Sequence, residues 1–283
     1  MTQFTRRAPT RRALGAGALG AALSLPALRR ASANNLEKAQ RAGELLIATE
    51  LHFAPFDFTE GGRQVGMNVE LFEHVGRDLN VRIRWQDLPW PAVLPGLEAG
   101  RYDMVGGPAT ITRARAERYR FTVPVAEATV ALLKRANDAS ITKPEDIAGK
   151  QLGCATATAQ LAQFQAFVAT LPGTTPPIRE YQSFSEAYAD LAAGRIVGVA
   201  NSLPNIAYVA QQRRNVFAVV QPPFGQKSYF GYIGRKDADS APLLDAIDAS
   251  ILKMRGDGRL AALQTKWFGQ SFETPDHVPP PTV

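Results

Sequence analysis

A parallel α/β arrangement is encoded in residues 45–85, LLIATELHFAPFDFTEGGRQVGMNVELFEHVGRDLNVRIRW. Residues 45–49 have the length and apolar character of a buried strand, and residues 81–85 alternate as a strand does. Between them, apolar residues recur at helical spacing after Asn68, which can cap a helix. Strand, helix and strand in this order predict parallel strands joined by a right-handed crossover.

The same alternation continues along the chain in three sections. The first ends near residue 125, a second begins near residue 130, and a third follows with a strand at 229–234 and helices at 241–254 and 259–267. A chain of 283 residues is long for a single core. We therefore predict an α/β protein of two lobes, whose chain leaves the first lobe and later returns to it.

The excess of basic residues belongs to a segment that has the parts of an export signal. Six arginines and no acid stand in residues 1–33, and the remaining chain carries 26 basic and 26 acidic residues. The pair Arg11-Arg12, the weakly apolar residues 13–28 and the run Ala31-Ser32-Ala33 predict a signal peptide cleaved after Ala33, and favour the Tat over the Sec route. The exported protein is expected in the periplasm, and its neutral charge argues against nucleic acid as a partner.

Metal and cofactor chemistry find little support in the composition. The chain has one cysteine and three histidines, which argues against a structural zinc site. Cys154 has apolar neighbours and is predicted to be a buried strand thiol. We therefore expect no cofactor and no metal.

Residues 106–115, GGPATITRAR, have the composition of an anion receptor. Glycine and proline are expected to end a strand here and to leave backbone amides free, while two threonines add hydroxyl donors. Arg115 follows at a predicted helix start, and a guanidinium can bind a carboxylate through two parallel hydrogen bonds. The alternative is an ordinary strand-to-helix turn, with Thr112 as the N-cap and Arg115 in solvent.

Five motifs occur along the chain: TELHFAPF at 49–56, VGMNVEL at 65–71, LPGLEAGRYD at 94–103, TITRAR at 110–115, and GDGRL with KWFG within 256–269. Together they resemble the family 3 solute-binding proteins, the polar-amino-acid receptors of ABC importers. Because the motifs occur in the family's order over about residues 36–270, the resemblance is more specific than any single motif.

The resemblance implies two Rossmann-like lobes joined by two crossover strands, the type II periplasmic binding fold. The first lobe is expected to comprise residues 34–125 and 229–271, and the second lobe residues 126–228. Residues 272–283 contain four prolines and no periodicity, which predicts a disordered tail.

The resemblance also implies roles for residues of the first lobe. Arg115 falls on the arginine that grips the ligand α-carboxylate, and Thr110 on the position that assists it. Pro108 replaces a residue that would offer a backbone N–H, so one amide donor is missing. Phe53 and Trp90 fall on aromatic positions that flank the ligand side chain, although ordinary core packing is the alternative for both.

Glu50 falls where members of the family often place an acid near the ligand side chain. If Glu50 faces the cleft, it favours a cationic or amide-bearing group. The alternative is a surface acid at a strand end.

The second lobe departs from the family pattern. Asn201 or Ser202 stands where the family usually has an aspartate that pairs with the ligand α-ammonium, and neither side chain is ionised. Thr156 and Thr158 retain hydroxyls at the turn where the family has Gly-Thr, with Ala157 in place of glycine. The carboxylate half of amino-acid recognition is therefore present, whereas the ammonium half is in doubt.

The sequence thus predicts a monomeric periplasmic protein that captures a small carboxylate-bearing solute, a polar amino acid or a derivative, for an ABC permease of the inner membrane. An enzyme on the same fold, such as a cyclohexadienyl-dehydratase-like lyase, is the alternative, with Glu50 or His52 as its proton-transfer group. A sensor domain is not supported, because no membrane span or signalling segment follows Gly269.

Overall fold

The computed structural model describes residues 33–283 together with Gln3. The predicted signal peptide and its cleavage site thus lie almost wholly outside the described residues. Among the described helices, none combines the length and the apolar character that crossing a membrane requires.

Helices and strands alternate through the described chain. The helices are α1 (Asn35–Ala42), α2 (Met67–Leu79), α3 (Trp90–Glu98), α4 (Arg113–Arg118), α5 (Ala159–Val168), α6 (Phe184–Ala192), α7 (Leu203–Gln212), α8 (Ala241–Gly256) and α9 (Arg259–Phe268), with a 3-10 turn at Pro144–Ile147. The strands are β1 (Glu44–Thr49), β2 (His52–Phe53), β3 (Asp57–Glu60), β4 (Arg63–Val65), β5 (Arg82–Asp87), β6 (Met104–Thr110), β7 (Tyr119–Phe121), β8 (Ala126–Glu127), β9 (Val130–Arg135), β10 (Leu152–Ala155), β11 (Arg179–Tyr181), β12 (Gly198–Ser202), β13 (Phe217–Val220) and β14 (Tyr229–Arg235).

Two separate sheets form the cores of two lobes. The first sheet has the order β5-β1-β6-β14-β7, with β8 paired to β14, and the second has the order β11-β10-β12-β9-β13. Strand β1 runs parallel to β5 and β6, and β10 runs parallel to β11 and β12. The prediction of an α/β fold with parallel strands is confirmed. We call the elements on the first sheet the first lobe and those on the second sheet the second lobe.

The chain passes between the sheets twice, at residues 128–129 and at residues 221–228. The two connections are joined where the backbone N–H of Ala128 donates to the carbonyl of Ser228 at 2.7 Å. Strand β8 lies just beyond the expected limit of the first lobe at residue 125, yet it pairs with the first sheet. The exact residue limits of the lobes stay predictions.

The glycines of the anion-receptor segment do not end a strand, contrary to the sequence prediction. Strand β6 continues to Thr110 and is buried throughout. A Cβ atom on Gly106 would lie 2.5 Å from Cγ2 of Ile47, so glycine here permits close packing between neighbouring strands rather than a turn. Pro108 has no N–H to donate, and the pairing of β6 with β14 is irregular between Gly231 and Ile233.

Residues 52–65, for which the sequence analysis predicts no strand, form a small antiparallel sheet of β2, β3 and β4. Gly66 fixes this sheet to α2. It has φ 133°, which side chains rarely adopt, and a Cβ atom there would lie 2.1 Å from the carbonyl oxygen of Phe56. That oxygen accepts a hydrogen bond from the N–H of Asn68 at 3.0 Å.

The tail at residues 272–283 contains no helix or strand. Two oxygen atoms of this tail meet the first lobe: the carbonyl of Pro275 accepts from Nη1 of Arg255 at 2.7 Å, and the main-chain oxygen of Val283, the last residue, accepts from the N–H of Arg113 at 2.8 Å. The expected disorder of this segment stays a prediction.

The substitution Gly66→Ala is expected to lower the free energy of unfolding by about 3 kcal/mol or more, because it combines a forbidden backbone conformation with a steric overlap. Gly62→Ala is the matched control: Gly62 also has a positive φ, 74°, but nothing lies within 4 Å of its Cβ position. We expect Gly62→Ala to lower the free energy of unfolding by only about 1 kcal/mol. Urea unfolding of both variants checks this, and equal losses would contradict the packing role of Gly66.

Candidate functional site

A pocket lies between the two lobes, at the end of β6. The residues that line it come from both lobes: Glu50, Phe53, Trp90, Gly107, Pro108, Ala109, Thr110, Arg115, Thr158, Gln160, Phe184 and Phe230. Seven of the ten residues predicted to bind the ligand are among them. Because the pocket lies at the junction of the lobes, relative motion of the lobes changes its shape.

Arg115 reaches the pocket from α4, which follows directly after β6. The hydroxyl of Thr112 caps this helix by accepting from the N–H of Arg115 at 3.3 Å. The guanidinium donates to the carbonyl of Thr110 at 3.2 Å and to the carbonyl of Ala157, in the second lobe, at 3.5 Å. It also lies over the ring of Trp90, 5.4 Å from its centroid.

The charge of Arg115 is not neutralised by any carboxylate of residues 33–283. Burial of its guanidinium lowers the pKa of Arg115 to about 10, so the group remains protonated at neutral pH. A half-buried cation whose hydrogen bonds go only to two backbone carbonyls retains donors for an anion.

Thr110 and the end of β6 provide further polar atoms. Oγ1 of Thr110 is buried and has no hydrogen-bond partner within the described part of the chain. Pro108 also lines the pocket, so β6 lacks one N–H at the position where the sequence analysis expected a missing donor.

The turn before α5 brings the second lobe to the same place. Nε1 of Trp90 donates to the carbonyl of Ala157 at 3.1 Å, which is the acceptor that Arg115 also approaches. Ala157 has φ 58°, so this turn keeps a left-handed conformation although alanine stands where the family has glycine. Thr158 is the N-cap of α5, and its hydroxyl accepts from Leu161 at 3.1 Å.

Glu50 faces the pocket rather than solvent. Its relative exposure is 6%, and its carboxylate makes no hydrogen bond or ion pair with the residues that the structure describes. Burial, with smaller contributions from the negative charges of Asp87 and Glu186, raises the pKa of Glu50 to about 7. The alternative interpretation of Glu50, a surface acid at a strand end, is therefore wrong.

Aromatic rings form the apolar wall. The Phe53 ring packs against that of Phe184 from the second lobe at a centroid distance of 5.7 Å, and against that of Phe230 at 5.8 Å. Trp90 is 9% exposed and completes this wall. The described aromatic contacts thus include a direct pairing of the two lobes across the pocket.

Three predicted site residues do not line the pocket. The hydroxyl of Thr156 donates to the carboxylate of Glu180 at 2.5 Å, away from the pocket. Asn201 uses its amide on the hydroxyl of Tyr188 at 2.8 Å, and Oγ of Ser202 accepts from Nε2 of Gln160 at 2.9 Å. Their proposed roles toward a ligand stay predictions.

Gln160, Phe184 and Phe230 line the pocket but were missed by the sequence analysis. Gln160 stands two residues after the capping Thr158, Phe184 begins α6, and Phe230 lies in the strand that returns to the first sheet. All three residues stand at or near the start of a helix or strand. The sequence indicates where such elements begin, but it does not show which of these positions lie together in the fold. His52, a candidate for proton transfer, is exposed on β2 and outside the pocket lining.

Comparison with known proteins identifies this architecture. Residues 45–270 match the bacterial extracellular solute-binding proteins, family 3. The chain belongs to this family. The resemblance stated from its motifs is therefore confirmed, and the fold is that of the type II periplasmic binding proteins.

Several relatives share most of the chain. The L-cystine-binding protein TcyJ of Escherichia coli (strain K12) is 28% identical over 236 residues, which cover 83% of this chain and 86% of TcyJ. An ancestral arginine-binding protein, solved with arginine bound, is 28% identical, with a TM-score of 0.72 over 80% of this chain and 99% of that structure. A Streptococcus pneumoniae ABC uptake transporter substrate-binding protein with bound histidine has a TM-score of 0.79 over 87% of this chain and 100% of its own, at 24% identity, and so shows the fold alone.

Replacement of Glu50 by glutamine should stabilise the ligand-free protein at pH 8 but much less at pH 4.5. The raised pKa means that the folded state disfavours the charged carboxylate, so Glu50 costs stability progressively as the pH rises from about 4.5 to about 7. The shift corresponds to at most about 3 kcal/mol. Thermal unfolding of Glu50→Gln and wild type at both pH values checks this. Glu60→Gln, at an exposed strand end, is the control, and an equal gain at both pH values would contradict the burial of Glu50.

Proposed function

We propose that this protein captures a small carboxylate-bearing solute, an amino acid or an amino-acid derivative, and delivers it to an ABC permease. The observation that carries the proposal is the protonated guanidinium of Arg115, which lies in the pocket between the lobes without a carboxylate partner in residues 33–283. Capture in the periplasm after removal of residues 1–33, and delivery as a monomer, are parts of the same proposal.

The chemistry of the Arg115 end favours a carboxylate. A planar guanidinium matches a carboxylate through two parallel N–H donors, and Oγ1 of Thr110 offers a further donor that no described group uses. Hydrogen bonds to charged groups contribute about 1.5–3 kcal/mol each, more than neutral ones. A neutral solute would leave the guanidinium uncompensated in the closed pocket.

Contacts across the pocket support capture by lobe closure. Trp90 and Arg115 reach the carbonyl of Ala157, and Nδ2 of Asn205 donates to the carbonyl of Ala54 at 2.7 Å. A solute that touches both lobes adds to these contacts only in the closed form, and so shifts the population toward it. Closure gives a permease a way to distinguish the loaded protein from the unloaded one.

The relatives support an amino acid or a derivative as the solute class. TcyJ is named for L-cystine, and another relative, 25% identical over 78% of this chain, is the histidine-binding periplasmic protein of E. coli. Both names denote binding proteins.

An enzymatic function is the second candidate, because Glu50 is buried in the pocket with a pKa near neutral. A 25% identical structure, an ancestral amino-acid-binding protein, is described as a precursor of cyclohexadienyl dehydratase. An elimination needs a group to take a proton and a means to assist the leaving group, and Glu50 is the sole carboxylate lining the described pocket. Release of product from prephenate or arogenate, abolished by Glu50→Gln, would favour the enzyme, and no turnover favours binding.

Arg115→Ala should weaken binding of any carboxylate ligand by about 2 kcal/mol or more, roughly thirtyfold, because the closed pocket then buries an uncompensated anion. Calorimetry of unfolded and refolded protein against amino acids and small organic acids checks this, since refolding removes retained ligand. Arg118→Ala is the matched control, because Arg118 lies on the same helix and pairs with Glu98 at 2.6 Å outside the pocket. Affinity that survives Arg115→Ala within about threefold would contradict the proposal.

A further inference from the structure

We propose that the pocket selects a solute with its carboxylate at Arg115 and a positive charge at the far end, at Glu50, and that it requires no ammonium group beside the carboxylate. This inference rests on the proposed function and names its substrate class, the ω-amino or ω-guanidino carboxylates. Four features of the described residues carry it.

The first feature is the carboxylate of Glu50 itself. It is 94% buried, faces the pocket, and has neither a hydrogen bond nor an ion pair from residues 33–283. Buried carboxylates are ordinarily paired or hydrogen-bonded, because an isolated one is costly. A cation that enters the pocket would compensate this group, whereas an anionic or apolar end would leave it uncompensated.

The second feature is the negative surroundings of Glu50, which come from both lobes. Asp87 ends β5 in the first lobe, and Glu186 lies in the first turn of α6 in the second lobe; both are exposed and act on Glu50. Behind them, Asp57 is fully buried, and burial raises its pKa to about 8, so it is largely neutral at pH 7. Two charged acids beside the buried one make this end of the pocket attractive to a cation.

The third feature is the separation of the two charged ends. The backbone nitrogen of Glu50 lies 3.7 Å from the position of a Cβ atom on Gly107, whereas Arg115 donates to the carbonyl of Thr110, three residues farther along β6 and thus roughly 10 Å away. An α-ammonium is one carbon away from its carboxylate, so it stays at the Arg115 end and cannot reach Glu50.

The fourth feature is the absence of an acid at the Arg115 end among the described lining residues. The polar side chains there are Thr110, Thr158 and Gln160, all neutral, and Gln160 already donates to Ser202. An α-ammonium held beside the Arg115 cation would therefore lose water without gaining a counter-charge. A solute without this group avoids that loss.

The wall between the two ends suits the stem of such a solute. The rings of Phe53 and Phe184 face each other across the lobes, and Trp90 flanks them. Flat apolar rings pack well on a methylene chain and tolerate a nearby cation. The pocket thus offers an anion-binding end, an apolar middle and a cation-binding end.

Matched pairs of ligands test the inference by calorimetry of the refolded full-length mature protein. The pairs are ornithine with 5-aminopentanoate, lysine with 6-aminohexanoate, and arginine with 5-guanidinopentanoate; within each pair only the α-ammonium differs. In the pair that binds most tightly, we expect the dissociation constant of the compound without the α-ammonium to be no more than about threefold larger than that of its partner. Norleucine and hexanoate, which lack the distal cation, should bind at least about tenfold more weakly than 6-aminohexanoate.

Two variants sharpen the test. Glu50→Gln should lower the affinity for 6-aminohexanoate at least about tenfold at pH 8, and it should change the affinity for hexanoate by no more than about threefold. Ser202→Asp should restore a preference for lysine over 6-aminohexanoate, because it places an acid beside Gln160, which lines the pocket. In the wild type, affinity for 6-aminohexanoate should rise from pH 6 to pH 8 as Glu50 loses its proton, and Glu50→Gln should remove that rise.

The possible results distinguish failure of this inference about the distal cation from failure of the proposed carboxylate capture. A more than tenfold preference for the α-amino member of the tightest pair, or equal binding of hexanoate and 6-aminohexanoate, overturns the inference and leaves carboxylate capture intact. Failure of every distal-cation compound, while another carboxylate binds through Arg115, also overturns it. If no carboxylate binds at all, the proposed function fails as well.

Discussion

The structure depends on one electrostatic constraint: a half-buried guanidinium that meets backbone carbonyls of both lobes and has no carboxylate partner in residues 33–283. Arg115 donates to Thr110 on its own side and approaches Ala157 on the other, while no carboxylate of residues 33–283 neutralises it. Such an arrangement is costly in an ordinary protein core. A solute that supplies a carboxylate would compensate the charge of Arg115. The residues around Arg115 are arranged to hold that carboxylate.

Parallel β topology explains why these groups meet. Strands β1 and β6 are neighbours that run in the same direction, so the segments that follow them, with Glu50 and Arg115, emerge at the same edge of the first sheet. Ligand sites of open α/β sheets lie at this carboxyl edge. The second lobe contributes a helix start at Thr158 and the ring of Phe184, and it closes over the site from the opposite side.

Local sequence predicted the alternating elements correctly, because each depends on residues close together in the chain. The N-cap of α4 at Thr112, named in the alternative interpretation of residues 106–115, was predicted in this way. The export signal and the anion receptor rest on equally local patterns and stay predictions. The site residues Phe184 and Phe230 were missed because their approach to Phe53 depends on how two lobes pack. Gly106 misled the prediction, since glycine for a turn and glycine for close strand packing look alike in a sequence.

The most direct measurement is a crystal structure of the protein with the small carboxylate that binds it most tightly. The account predicts that the carboxylate of the solute lies about 3 Å from the guanidinium nitrogens of Arg115 and from Oγ1 of Thr110, with the lobes closed on it. A solute bound between the lobes whose carboxylate lies elsewhere, with Arg115 directed to solvent, would contradict the account.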